Sequence, residues 1–398
     1  VRSVPEVELP IGPQHPALKE PVNFRVFVDG ERIVRLELDI SYNHRGVEKA
    51  AEARDFPKAL YLIERICGIC SHAHATNFAK GMEHLMGIQA PPRAQWLRTL
   101  VGELERIHSH LLWLGVAAHE IGWDTLFMYT WRDRETVQDL LEAISGNRVN
   151  YSINRIGGVR RDLSQDLQRR AVEGLRYLEG RMDHYVGVIG EEEILRVRTQ
   201  GVGVLPRDRA EALGAVGPTA RGSGVDFDIR RDDPYLAYGE VPFRVVTSSH
   251  GDVYGRLEVR VRELGESVRM ALHVLENLPP GDVAVQAPRT APPGEYVSRY
   301  EAPRGELVHY IRTNGGDRVD RLAVRTPTLA NWPSVVEAIQ GRFLADVPVV
   351  VAAIDPCLSC TSRTTIVRAE GGPTSQLEWD DLVAHGVRFY RERKGDSP

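Results

Sequence analysis

This 398-residue chain contains four cysteines, arranged as two C-x-x-C pairs: Cys67 and Cys70 in "RICGICSHAH", and Cys357 and Cys360 in "DPCLSCTSR". Thiolate sulfur is a soft ligand and a redox-active nucleophile, so cysteines paired at this spacing point to metal or dithiol chemistry in a reducing compartment. The first pair falls where a helix is expected to begin, and the free N–H groups there favour thiolate over thiol. Pro356 stiffens the approach to the second pair and ends the apolar run before it. Two buried small hydrophobes account for a single C-x-x-C, but less well for two pairs that use every cysteine. A structural zinc site needs only tetrahedral geometry, yet such sites usually staple small, loop-rich modules. A catalytic metal held by soft thiolates where distant segments meet fits as well or better.

A sizeable fold must position these residues. Hydrophobic residues make up 42% of the chain, enough for a substantial core. Lys and Arg number 50 against 55 Asp and Glu, a net charge of −5 with no basic block, which argues against nucleic-acid binding. No apolar run of about 18 residues is present to span a bilayer. The start, "VRSVPEVELPIGPQHP", has no signal-peptide core, so the chain is expected to be soluble and cytoplasmic.

Segment 22–40, "VNFRVFVDGERIVRLELDI", alternates about Asp29-Gly30 and predicts a β-hairpin with a type I′ turn. From Asp55 to about 280 the apolar spacing changes to three and four, predicting a helical core with one long, largely buried helix in "PRAQWLRTLVGELERIHSHLLWLGVAAHEIG". Within that span "PTARGSGVDFDIRRDDPYLAYGEVPF", rich in Gly, Pro and Asp, predicts an ordered loop crossing the surface. Alternation returns from 285 to 325 around Asn314-Gly315-Gly316, a small late β element. A short helix in "WPSVVEAIQG" and the apolar run "VPVVVAAID" then lead to the second cysteine pair. The expected class is α+β, mainly helical, with no boundary that would keep the two pairs apart.

The forms R-x-C-G-x-C-x-x-x-H and D-P-C-x-x-C-x-x-R together resemble the large subunit of the energy-converting, membrane-bound nickel–iron hydrogenases. "GPQHPALKEP", "NHRGVEKA", "ELERIHSHLLWLG", "RGSGVDFDIRRDDPY" and "GDVYGRLEVRVRE" look like the related 49-kDa component of respiratory complex I. The resemblance runs from about residue 10 to 363 and implies the fold those two proteins share. In complex I the cysteine motifs have decayed and a cavity receives quinone; Gly68 stands here at the position of its quinone-binding tyrosine. With all four thiols present, the resemblance favours a dinuclear nickel–iron centre.

It also implies roles. Cys67 and Cys357 would be terminal nickel ligands, and Cys70 and Cys360 would bridge to an iron carrying carbon monoxide and two cyanides. The reaction would be heterolytic splitting or formation of H2, with the Cys357 sulfur as first base. Glu20 in "ALKEP" matches the gate glutamate of the proton path. Arg304 in "EAPRGE" matches an arginine over the open metal face, where it would polarise the bound species or orient Asp355. Thr328 in "RTPTLANW" would donate to an iron cyanide. Glu48 aligns with a glutamate that binds magnesium in soluble hydrogenases, which have histidine where this chain has Arg363; an arginine ion pair is the other reading. His74 would orient a cysteine sulfur or face a neighbouring cluster, or simply be a core histidine. His15 matches a residue of the quinone cavity, or is a turn residue.

Since the proposed centre uses every thiol, no iron–sulfur cluster is expected in this chain. Electrons then require an iron–sulfur small subunit, similar to the one that accompanies the 49-kDa component in complex I, docked near the first pair. Integral membrane subunits would dock against the hairpin and the "GPQHP" loop, placing the chain peripherally on the cytoplasmic side of the membrane. Residues 1–363 would form the catalytic domain, divided into the 22–40 hairpin, the 55–280 helical core and a 285–363 unit. The 364–398 extension would be removed after Arg363 by a maturation protease, or would dock as a permanent amphipathic helix. Two other functions remain open: a complex I-like NADH/quinone oxidoreductase module of the 49-kDa type, and a zinc-stapled scaffold subunit.

Overall fold

Val22, Phe24 and Val26 occupy alternate positions and are fully buried, as a period of two on one strand face requires. Burying each contributes on the order of 1.5–3 kcal/mol, so the hairpin that carries them is firmly seated. In a computed structural model, which describes residues 7–361 except 17 and 19 together with positions 384, 386–388 and 391, this hairpin pairs β2 (Asn23–Asp29) with β3 (Arg32–Asp39), antiparallel. Asp29 pairs with Arg32, so Gly30 and Glu31 form the turn, and only Gly30 has positive φ, +61°. A type I′ turn needs positive φ at both central residues, so the expected turn type is not adopted. A further strand, β1 (Val7–Ile11), pairs antiparallel with β2. Pro10 weakens its strand signal, and it lies on the sheet edge, where proline is tolerated.

Among the described residues, the six longer helices build the middle of the chain. Helix α1 (Phe56–Glu64) starts at Asp55, whose side chain accepts the Lys58 N–H at 3.0 Å. Helix α2 (Ser71–Met86) has Cys70 at its N-cap and ends at left-handed Gly87. Helix α3 (Pro92–Glu120), the long one, is buried along most of its length. Helices α4 (Asp124–Ser145), α5 (Gln165–Glu191) and α6 (Val253–Glu276) follow. Ser164 and Asp252 cap α5 and α6 through the Leu167 and Gly255 N–H groups.

The late β element is a three-stranded antiparallel meander of β4 (Gly294–Ala302), β5 (Gly305–Thr313) and β6 (Val319–Arg325). Ala302 pairs with Gly305, leaving Pro303 and Arg304 as the hairpin tip. Gly305 has φ +125°, and a Cβ there would meet the Gly217 backbone nitrogen at 2.7 Å. Glycine is therefore required for the tip to lie where it does. Helix α7 (Pro327–Ile339) and helix α8 (Val347–Ala353), formed by the "VPVVVAAID" run, lead to the second cysteine pair.

Two apolar clusters hold these parts together. The larger joins the central helices, the late sheet and all four cysteines. The smaller packs the N-terminal sheet onto α7 and α8, with Phe24 edge-on to Trp332 at 6.0 Å. This second contact brings the loop before β2 to the end of the chain that carries Cys357.

One expectation fails. The segment "PTARGSGVDFDIRRDDPYLAYGEVPF" contains two short helices, Gly217–Arg221 and Ile229–Asp232, and much of it is buried. Its charges are paired inside: Arg221 binds Glu263 at 2.8 Å and Glu301 at 2.9 Å, while Arg230 binds Asp228 at 2.7 Å and Glu103 at 3.2 Å. Local composition signals a loop, but the long-range pairs to Glu103, Glu263 and Glu301 let its polar residues enter the core. Among the described residues no helix is long and apolar enough to cross a membrane. Arg363 and most of 364–398 lie outside the described residues.

Candidate metal centre

The two cysteine pairs meet. Cys67 Sγ lies 3.1 Å from Cys357 Sγ, Cys70 Sγ lies 3.7 Å from Cys360 Sγ, and all four sulfurs fall within 4.8 Å of one another. All four residues are buried. A metal with sulfur at about 2.3 Å in a tetrahedron holds its sulfurs about 3.8 Å apart. The observed cluster brackets that spacing, so the donor set fits a thiophilic metal. Among the described residues it is the only group of three or more potential donors this close together.

Each loop is fixed by hydrogen bonds. Arg45 donates to the Arg65 and Ile66 carbonyls at 3.1 and 2.6 Å, clamping the approach to Cys67. The Glu105 carboxylate accepts the His72 and Ala73 N–H groups at 2.6 and 3.0 Å, satisfying the free donors at the start of α2. On the other side, the Cys357 N–H donates to Thr328 Oγ1 at 3.2 Å, and Thr326 Oγ1 donates to the Cys360 carbonyl at 2.9 Å. Asp355 adopts a left-handed conformation, φ +56°, immediately before the second motif.

Arg304 reaches from its hairpin tip to Asp355. Its Nε donates to the Asp355 carbonyl at 2.7 Å, Nη2 to Oδ1 at 2.8 Å and Nη1 to Ser109 Oγ at 3.3 Å. Among the described residues Asp355 Oδ2 is buried without a partner, an acceptor left for a group held at this site. Burial pulls the Arg304 guanidinium down, but Asp355 and the cysteine sulfurs outweigh it, so its charge is firmly held. Burial pushes the Asp355 carboxyl up, against the pull of Arg304. Cys67 is drawn well below the usual thiol range by hydrogen bonds from Cys357, Cys360 and Cys70, helped by Arg304. Cys70 and Cys360 are held up, first by hydrogen bonding to Cys357 and then by crowding and burial. Such a cluster favours a cation able to take several sulfurs as thiolates at once.

Two cavities flank the cluster. The larger, about 780 Å³, runs from His15 and the N-terminal sheet to Cys67, Gly68, Arg304 and Cys357, mainly between apolar side chains. The smaller, about 140 Å³, is lined by more polar and charged residues than apolar ones, Asn43, Glu48, Arg321 and Ser359 among them. Glu20 lines the larger cavity and accepts the Leu358 and Ser359 N–H groups at 2.6 and 3.0 Å.

Cys67, Cys70, Cys357, Cys360, Glu20, Arg304, Asp355, Thr328 and His74 thus converge. His74 Nε2 is 3.5 Å from Cys360 Sγ, and its Nδ1 is 3.3 Å from His309 Nε2. His15 is exposed at the rim of the large cavity. Glu48 accepts the Val324 N–H at 2.8 Å in the small cavity. One carboxylate beside Arg45, Lys49 and Arg321 is a poor donor set for magnesium, which needs an octahedron of oxygens. Arg45, Glu105, Ser109, His309 and Ser359 were not singled out from sequence. The only sequence signal for Glu105 and Ser109 was their place in a helix expected to be largely buried.

The respiratory-chain NADH dehydrogenase 49 Kd subunit family matches residues 120–293 and 285–363, and the nickel-dependent hydrogenase family matches residues 45–173. Membrane-bound hydrogenase subunit alpha of Pyrococcus furiosus is 43% identical over 402 residues, covering 97% of this chain and 94% of that protein. An NADH-quinone oxidoreductase subunit of Koribacter versatilis is 36% identical over 382 residues, covering 89% and 95%. A solved chain of the membrane-bound sulfane sulfur reductase, an archaeal respiratory membrane complex, superposes with TM-score 0.86 at 31% identity over 90% of this chain and 98% of that chain.

Proposed function

This chain belongs to the family that unites nickel-dependent hydrogenase large subunits with the 49-kDa component of respiratory complex I, and we propose that it is the catalytic subunit of an energy-converting, membrane-bound nickel–iron hydrogenase. One observation carries the reading: four buried cysteine sulfurs from opposite ends of the chain lie within 4.8 Å of one another. A nickel–iron centre held by Cys67, Cys70, Cys357 and Cys360, its iron bearing carbon monoxide and cyanide, would supply reversible cleavage of H2 into two protons and two electrons. The chain's own groups do the rest. Arg304 sets a fixed positive charge and hydrogen-bond donors beside the cluster and orients Asp355. Thr328 accepts the Cys357 N–H and so retains its hydroxyl hydrogen, which it would donate to a cyanide of such a centre. The Cys357 sulfur takes the first proton and Glu20, hydrogen-bonded just beyond it, carries the proton on. The large, mainly apolar cavity gives H2 a path to the cysteines.

Partners follow from the use of the thiols. With all four committed to the centre, electrons pass to an iron–sulfur protein near the first cysteine pair, and ion translocation belongs to membrane subunits. The chain sits peripherally, on the cytoplasmic side, with residues 1–363 as the catalytic unit and the 364–398 extension removed on maturation.

The cavity of about 780 Å³ that reaches Gly68 also favours a second reading, a quinone-type acceptor module. Metal analysis with infrared spectroscopy of the purified complex decides. Nickel, iron and metal-bound carbonyl and cyanide bands are expected; zinc alone would make the chain a stapled scaffold, and a metal-free cluster would leave the quinone reading.

A further inference from the structure

Glu20 stands in the wall between the two cavities. On one side is the large, mainly apolar chamber, whose lining includes Val22, Phe24, Trp113 and Val351. On the other is the small chamber. Ser359 joins them: it lines the small chamber, its Oγ donates to Glu20 Oε1, and it accepts from Asn43 Nδ2 at 3.5 Å. Glu20 Oε2 is already engaged by two backbone N–H groups. The open side of the carboxyl thus points through one hydroxyl.

We propose that Ser359 is the exit relay for Glu20, and that the small chamber bounded by Asn43, His44 and Glu48 is where protons leave the site. The proposal rests on the hydrogenase reading. A hydroxyl is donor and acceptor at once, so the step balances without other chemistry. The Glu20 carboxyl O–H breaks, a new O–H forms on Ser359 Oγ, and the former Ser359 hydroxyl proton passes to a water in the small chamber. Glu20 is left as carboxylate, and rotation of the hydroxyl resets the relay. At about 30 Å³ per water, the small chamber has room for several molecules beside Asn43, His44, Glu48 and Ser359, whereas the lining of the large one is mainly apolar.

The test uses the metal-loaded complex with Ser359→Ala, Ser359→Thr and Asn43→Leu, and three measurements: metal content with infrared bands, conversion of para- to ortho-hydrogen, and formation of HD from H2 in D2O. Ser359→Ala should keep its metals and bands and still convert para-hydrogen, while HD formation falls about 100-fold. Ser359→Thr should restore it, and Asn43→Leu should show a weaker form of the same split. In metal-free chain carrying isotope-labelled glutamate, the Glu20 carboxyl stretch should shift in Ser359→Ala and stay in place in Ser359→Thr. HD formation at the wild-type rate in fully metallated Ser359→Ala overturns the relay. So does parallel loss of both hydrogen reactions, which would mean that Ser359 only shapes the metal loop. Failure of the hydrogenase reading is separate: it appears in the wild type, as a chain without nickel that converts no para-hydrogen.

Discussion

Arg304→Met would leave the Asp355 carboxylate in the core without its counter-charge. The two residues are 3% and 5% exposed, and the lost contacts are Nε to the Asp355 carbonyl at 2.7 Å and Nη2 to Oδ1 at 2.8 Å. Removing one partner of a buried ion pair costs about 3–5 kcal/mol, and the orphaned carbonyl adds roughly 1–3 kcal/mol. Protonation limits the first term: neutralising a carboxyl of ordinary pKa near 3.9 at pH 7 costs about 4 kcal/mol. The expected loss is therefore about 4–7 kcal/mol. Asp355→Asn is the matching partner because asparagine tolerates the left-handed backbone that Asp355 adopts. In the double variant both partners of the pair are gone, and its loss should fall short of the sum of the singles by up to about 3 kcal/mol. Backbone hydrogen exchange over residues 302–306 and 353–357 reads this locally, which suits a chain too large for a single unfolding transition. The pH dependence has a definite sign. With its folded pKa raised, Asp355 binds its proton more tightly in the fold, so Arg304→Met should regain stability as pH falls. Strict additivity of the two substitutions would refute the buried pair. Wild-type H2 turnover in Arg304→Lys, which keeps the charge and loses the planar fork, would refute its role over the cluster.

Glu20→Gln should retain the metals, because glutamine still accepts the Leu358 and Ser359 N–H groups, while H2/D+ exchange falls about 10²–10⁴-fold; wild-type exchange would remove Glu20 from the path. Burial, reinforced by the Asp228 charge, pushes Glu301 up to about 7 from 4.5. Its contribution to stability is full below the unfolded value and declines by on the order of 3 kcal/mol as pH rises to 7. Local stability around Glu301, read by backbone hydrogen exchange over residues 298–307 between pH 5 and 8, should therefore fall less with pH in Glu301→Gln than in the wild type. Finally, the isolated metal-loaded chain should show no iron–sulfur signal by paramagnetic resonance, and a cluster signal would contradict the commitment of all four thiols to one centre.

Elements with a clean period were legible in the sequence. The alternation through Val22, Phe24 and Val26 marks a strand with one buried face, and the apolar spacing of "PRAQWLRTLVGELERIHSHLLWLG" marks a helix. Strand β1 was not legible, because Pro10 interrupts a five-residue edge strand with too few residues to show a period. The cysteines were legible for a different reason: cysteine is rare, and a chain that spends all four in two matched pairs points to one shared site. Glu105, Ser109 and Ser359 are common residue types, and only three-dimensional pairing with α2, Arg304 and Glu20 gives them work.

The buried charges show why composition misled at 218–243. Arg221 and Arg230 are surface residues by type, but α3 and α6 present Glu103 and Glu263, and β4 presents Glu301, from positions far away in sequence. Neither side of these pairs tolerates burial alone, so the segment enters the core only when helices and sheet are both in place. The same interdependence governs the metal loop. Glu20 reaches Leu358 and Ser359 because the N-terminal sheet packs on α7 and α8 through Phe24 and Trp332. The second cysteine motif is therefore held from both ends of the chain: the first motif faces its sulfurs, and the N-terminal loop fixes its backbone. A change that loosens the Phe24–Trp332 contact is therefore expected to weaken the hold of Glu20 on Leu358 and Ser359, and with it the N-terminal support of the second cysteine motif.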